Sequence, residues 1–162
     1  MSSTPAADPH PAVRPALPAA PLVVLDTNAV LDWLVFRDPA CESWGARLAG
    51  GQVRWLASRP MREELEHVLG RGIGHAWSPE LPTLWQTWDR FADMVEPATL
   101  GGALQLRCTD PDDQKFIDLA LAHRARWLVS RDRAVLKLGR RARSRGVEVL
   151  TPDAWLRALN GG

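Results

Sequence analysis

The sequence predicts an α/β fold, a mainly parallel central sheet with helices on both faces, and three observations carry that prediction. Short apolar runs, "LVVL" at 22–25, "VRWLAS" at 53–58, "WLVS" at 127–130 and "VEVL" at 147–150, have the length and Val content of buried strands. Segments of helical rhythm separate them, the alternation that crossover connections in a parallel sheet require. The 162 residues, 46% of them apolar, suffice for one domain with a full core.

Taken in order, residues 1–20 stand apart, because Pro5, Pro9, Pro11, Pro15 and Pro18 punctuate Ala and Ser. They read as a disordered Pro/Ala-rich arm, and 21–160 as a single domain. The first strand is bounded by Pro21 and by Asp26-Thr27-Asn28. "AVLDWLVF" follows in helical rhythm, and Gly50-Gly51 ends the region that continues it. After the strand carrying Trp55, "PMREELEHVLG" is a helix with Pro60 near its start and Gly70 near its stop. The Trp-rich stretch 79–93 predicts another helix despite Pro82. "TDPDDQKFIDLALAHRA" is the best-marked helix, with Asp110 as N-cap, Pro111 at the first position and Asp113 at the third. A short helix from Asp132, the strand 147–150 and a last helix, "TPDAWLRAL", complete the chain.

A net charge of +1 conceals a division. Residues 1–99 carry 8 Lys/Arg and 12 Asp/Glu, a balance of −4, and residues 100–162 carry 12 and 7, a balance of +5. Arg140, Arg141, Arg143 and Arg145 fall within "GRRARSRG", a density suited either to phosphates or to a solvated helix face. Cys41 and Cys108 fit no metal or redox spacing and read as reduced and inert. With no cationic, apolar leader and no run of eighteen apolar residues, a cytoplasmic protein is expected.

In parallel sheets ligands gather at the carboxyl ends of strands, and Asp26 and Asp132 both follow strands. Burying a carboxylate at the end of "VVL" is costly unless something pairs with it. Helical spacing sorts the remaining acids. Glu64 borders the stripe of Met61, Leu65 and Val68, whereas Glu63 and Glu66 point away. Asp113 lies three before Phe116 and four before Ile117, on the buried side; Asp112 is displaced sideways and Asp118 points away. Asp26, Glu64, Asp113 and Asp132 thus converge on one edge, either as structural caps or as a site where Mg²⁺ or Mn²⁺ relieves their repulsion. Asn28 either orients Asp26 or contacts a metal-bound water, or else caps the next helix, and Ser130 either bonds an acid or substrate or ends its strand. No histidine falls in a cluster with ligand spacing, and His67 is placed on the solvent side of its helix.

The residues then resemble a known family, the PIN-domain nucleases, and within it the PIN-type toxins of bacterial toxin–antitoxin systems. "VVLDTNAVL" resembles the opening strand and first acid, "REELEHVL" the acid-bearing helix, "DPDDQKFIDLALAHRARWLVSRD" the third block and the strand of the fourth acid, and "GVEVLTPDAWL" the close. The order spans residues 22–156. The resemblance implies a PIN-like α/β/α sandwich and a metal-dependent ribonuclease, often held inactive by a cognate antitoxin and often dimeric, with Asp26, Glu64, Asp113 and Asp132 at the acidic positions. "SRDRA" departs from the Thr-Gly-Asp-Lys-Asp of that subgroup, and Arg131 in place of Gly predicts altered access or substrate choice.

The expected chemistry is hydrolysis of RNA phosphodiesters by metal ions on the four acids, with Arg140, Arg141, Arg143 and Arg145 on the RNA backbone. A dehalogenase-like phosphatase needs a second Asp where Asn28 stands, and a receiver domain needs an acidic pair and a late Lys that this chain lacks. The non-enzyme alternative is an inactive PIN-like scaffold that binds RNA or protein. Trp33, Trp44, Trp85 and Trp88 are expected in the core or in a dimer or antitoxin groove on the helical stretches 29–49 and 79–93.

Overall fold

The computed structural model describes residues 19–73 and 79–161. The expected arm therefore lies, but for Ala19 and Ala20, outside the described residues. Five parallel strands form one sheet: β1 (Leu22–Leu25), β2 (Arg54–Ala57), β3 (Ala92–Met94), β4 (Trp127–Val129) and β5 (Glu148–Leu150), in the order β3-β2-β1-β4-β5. The chain leaves β1 in one direction for β2 and β3, then returns to β4 on the other side. Reversal of direction splays the crossovers apart at the carboxyl ends of β1 and β4, so the fold itself opens a crevice there. The main-chain bond from Asp26 N–H to the Val129 carbonyl, 3.1 Å, closes the sheet just beneath that point.

Helices α1 (Thr27–Leu34), α2 (Trp44–Ala49), α3 (Arg59–Arg71), α4 (Leu81–Phe91), α5 (Gln114–Ala122), α6 (Arg133–Leu136), α7 (Gly139–Arg143) and α8 (Pro152–Gly161) flank the sheet. Trp55 and Trp127 stand on either side of Val23 in register and so share one face. A continuous chain of indoles covers that face: Trp127 meets Trp155 at 5.8 Å between centroids, Trp155 meets Trp44 at 5.0 Å, and Trp33 links Trp44 to Trp55, 5.8 Å from each. Trp55 then meets Trp88 at 4.8 Å, and Trp85 closes the series at 5.9 Å. These tryptophans weld α1, α2, α4 and α8 to the sheet, so Trp44 and Trp88 are core residues; Trp33 and Trp85 are half-buried. Val24, Leu56 and Leu128, which alternate with the tryptophans, are buried too, and α5 packs on β1 and β4 with α3 against it.

Three expectations are corrected. Helix 79–93 stops at Phe91, because Ala92–Met94 pair with Trp55–Ala57 as an edge strand, Arg54 holding Asp93 at 2.8 Å. The helical region before Gly50 is not continuous: Pro39 disfavours helical backbone at Asp38, Arg37 takes a left-handed φ of 52°, and a single 3-10 turn precedes α2. Pro111–Asp113 form another 3-10 turn, capped by Asp110, so Asp113 is the cap of α5 rather than its third residue. Asp118, expected to point away from the stripe, is nevertheless buried, accepting from Gln114 at 2.9 Å beneath the segment around Gln105. Both cysteines are free and buried, and burial pushes the Cys41 thiol up to about 12.

Candidate active site

Each central acid is delivered by a chain reversal at the carboxyl edge. Asp26 ends β1 and caps α1, its Oδ1 accepting from Ala29 N–H at 2.7 Å. Asp132 follows β4 and caps α6, accepting from Ala134 N–H at 2.8 Å. Asp110 caps the 3-10 turn, accepting from Asp112 N–H at 2.9 Å. A cap uses one carboxylate oxygen on the backbone and leaves the other to face outward from the helix start. The capping and functional readings of these acids are therefore compatible.

Ser130 joins two of them. Its hydroxyl donates to Asp26 Oδ2 and accepts from Asp132 N–H at 2.9 Å, while its own N–H bonds the Leu150 carbonyl at 2.9 Å. Asn28 is not the cap of α1, a place that Asp26 takes; it is exposed in the first turn, on the wall of the crevice.

Asp110, Asp113 and Asp132 each present an oxygen within 4.8 Å of the others. Asp113 Oδ2 is buried without a hydrogen-bond partner. Burial, the adjacent Asp132 carboxyl and the charges of Asp110 and Asp26 together push Asp113 up to about 7. Asp26, 2% exposed, is pushed up to about 6, chiefly by burial, against the lowering effect of its bonds from Ser130 and Ala29. Two acids that ionise reluctantly, around an orphaned carboxylate oxygen, form a donor set that a hard divalent cation satisfies.

A cavity of about 390 Å³ opens beside this cluster, lined by Asp26, Asn28, Glu64, Asp112 and Asp113 among others. Asp113 belongs to both cluster and cavity wall, and Glu64 faces it from α3. Glu64 is not one of the close carboxylates: Lys115 Nζ pairs with its Oε1 at 2.9 Å and Thr27 donates to its Oε2. The structure thus brings together Asp26, Asp113 and Asp132, adds Asp110, which the sequence marked only as a cap, and holds Glu64 across the cavity. Lys115 escaped notice because its partner lies 51 positions away in the chain. His67, on the exposed side of α3 as expected, nevertheless lines the cavity, as does Arg71.

Arg131 is held by acids outside the cluster. Its guanidinium turns to Asp32 at 2.6 Å and Asp38 at 2.7 Å, with Asp153 at 3.8 Å, pinning the loop of Ser130 and Asp132 to α1, the 3-10 turn and α8. The arginine run is also kept from the acids: α7 descends beside β5 and delivers the chain to its amino end, and none of the four arginines lines the cavity. Arg145 is engaged with the Ala103 carbonyl at 3.0 Å and with that of Leu104.

Fold and site define a class, parallel α/β proteins with a carboxylate cluster where the crossovers part. A family model described as the PIN domain matches residues 22–134, and the chain belongs to the PIN domain family, whose members are generally nucleases. Two solved structures share the fold. VapBC2 from Rickettsia felis, bound to a DNA fragment from its promoter, has a TM-score of 0.52 at 14% identity, over 80% of this chain and 98% of that one. PAE2754 from Pyrobaculum aerophilum has a TM-score of 0.57 at 18% identity, over 89% and 92%. No curated protein matches the chain. Among the described residues no helix is long and apolar enough to cross a membrane.

Proposed function

We propose that the chain is a metal-dependent endoribonuclease and the toxin of a toxin–antitoxin pair. The observation that carries this reading is the orphaned Asp113 oxygen among acids of raised pKa at the carboxyl edge of a PIN sheet. Asp26, Asp113 and Asp132, with Asp110 beside them, are the residues that would hold Mg²⁺ or Mn²⁺, with Glu64 facing them. Such an ion supplies positive charge to the phosphoryl oxygens and lowers the cost of forming a hydroxide nucleophile.

The chain's own residues do the rest. Ser130 holds the Asp26 carboxylate in one orientation and fixes the turn that aims Asp132, and Arg131 anchors that turn from behind. Lys115 holds the Glu64 carboxylate at the cavity wall, and Asn28 offers an exposed amide to substrate. An antitoxin partner is supported by the toxin–antitoxin complex among the structural relatives, and a homodimer and a cytoplasmic location are expected with it. Arg140, Arg141 and Arg143 are exposed and add a diffuse attraction for RNA rather than a contact at the acids.

The test is cleavage of a single-stranded RNA by the purified protein with Mg²⁺, with Mn²⁺ and with EDTA. Cutting is expected with either ion and none in EDTA. Tight RNA binding without cleavage under every condition would leave the inactive scaffold, a reading favoured by the pairing of Glu64 with Lys115. Ser130→Ala is expected to reduce cleavage and apparent metal affinity about 10- to 100-fold, since it frees the carboxylate it orients; unchanged metal titration would confine Ser130 to a strand end.

A further inference from the structure

Glu64, His67, Val68 and Arg71 occupy successive positions of one stripe on α3, and all four line the acid-walled cavity. The stripe changes character along its length. At one end Glu64 stands across from Asp26 and Asp113; at the other, about 10 Å further along the helix at 1.5 Å per residue, Arg71 closes the wall. The other cations around α3 are spoken for. Arg59 pairs with Glu63 at 3.1 Å, Arg62 with Glu66 at 3.2 Å and Asp89 at 2.8 Å, and Lys115 with Glu64 at 2.9 Å. Arg71 has no carboxylate partner among the described residues, and both it and His67 are exposed.

A guanidinium in the wall of an acidic cavity, with no carboxylate partner among the described residues, is suited to an anion that extends beyond the acids. Its planar fork matches a phosphate, and an imidazole one turn back offers a flat face and a ring nitrogen to a base. Of the other arginines, Arg131 is committed to three aspartates and Arg145 to main-chain carbonyls. From this geometry we infer that Arg71 and His67 form the subsite for the nucleotide flanking the scissile bond, Arg71 on its phosphate and His67 on its base. The inference rests on the ribonuclease reading and deepens it. The stripe orients a single strand along α3, one phosphate at the acids and the next held at Arg71. A double helix, whose bases are stacked inward, gives His67 no face to meet.

The experiment compares the full-length protein with Arg71→Ala, Arg71→Lys, His67→Ala and an Arg140→Ala/Arg141→Ala/Arg143→Ala triple variant. Affinity for a fluorescein-labelled single-stranded RNA is measured in EDTA over a range of salt, and cleavage kinetics are measured in Mn²⁺. Arg71 is exposed at the end of its helix, so thermal unfolding checks that the variant folds. Arg71→Ala is expected to weaken binding about tenfold, to place the loss mainly on KM, and to reduce the slope of log K against log salt by about 0.7, the value for one phosphate contact on a single strand. Arg71→Lys keeps that slope while losing part of the affinity. His67→Ala weakens binding without changing the slope. If wild type binds and cuts RNA while Arg71→Ala matches it in affinity and slope, or if the triple variant alone removes the affinity, the subsite is wrong and the nuclease stands. If wild type neither binds nor cuts, both readings fall.

Discussion

Asp26→Asn is expected to reduce RNA cleavage by about two orders of magnitude or more while making the metal-free protein more stable at neutral pH. The two effects have one cause. The carboxylate is 2% exposed and pushed up to about 6, so the fold holds its charged form at a cost. Asparagine keeps the geometry without the charge: its carbonyl oxygen still accepts from Ala29 N–H, and its amide donates to the Ser130 hydroxyl, which retains a free lone pair. What is lost is an anionic oxygen for a cation, and orienting groups one step removed already cost 10- to 100-fold. Thermal unfolding in EDTA near pH 8 and a cleavage time course in Mn²⁺ check both halves. A variant that is inactive because it no longer folds, or one that is as active as wild type, would show that Asp26 serves the fold and not the site.

The positions that declared themselves in the sequence are those where one residue serves local structure and site together. Asp26 and Asp132 are legible because an acid after a strand both caps the next helix and lands on the carboxyl edge. Glu64 is legible because its helix has a clean apolar stripe to border. The burial of Asp118 is not legible in this way: the helical stripe marks the side facing the sheet, whereas Asp118 is covered from outside by the segment around Gln105, which no periodicity within the helix reveals. β3 was hidden by its length, three residues running straight out of α4 and defined by pairing with β2 rather than by any pattern of their own. The partners of Glu64 and Arg131 were hidden by distance along the chain, 51 residues to Lys115 and 99 to Asp32. His67 faces solvent, as its helical position predicts, but the solvent is that of the cavity, which only the packing of α3 against the rest of the chain reveals.

The second large effect concerns pH. In EDTA the protein is expected to lose stability as pH rises from about 4 to about 7, and Mg²⁺ or Mn²⁺ is expected to restore it at the upper end only. Asp26 and Asp113, whose ordinary value is 3.8, are pushed up to about 6 and about 7 in the fold. Below pH 4 folded and unfolded chains are both protonated at these groups, and their burial costs little. Between 4 and 7 the folded chain binds more protons than the unfolded one, so unfolding free energy declines with pH, and above 7 the loss is complete. For Asp26 the interval corresponds to about 3 kcal/mol at roughly 1.4 kcal/mol per pH unit; Asp113, more open to solvent, adds a smaller, screened share. A cation binds the ionised carboxylates, so its stabilisation is large near pH 8 and fades toward pH 5, where protons compete for the same oxygens. Melting curves across this range, in EDTA and in Mn²⁺, separate the outcomes. Opposite slopes in the two buffers are the signature of acids gathered for a metal, and a profile that is flat in both would mean that groups of the protein itself already balance their charge.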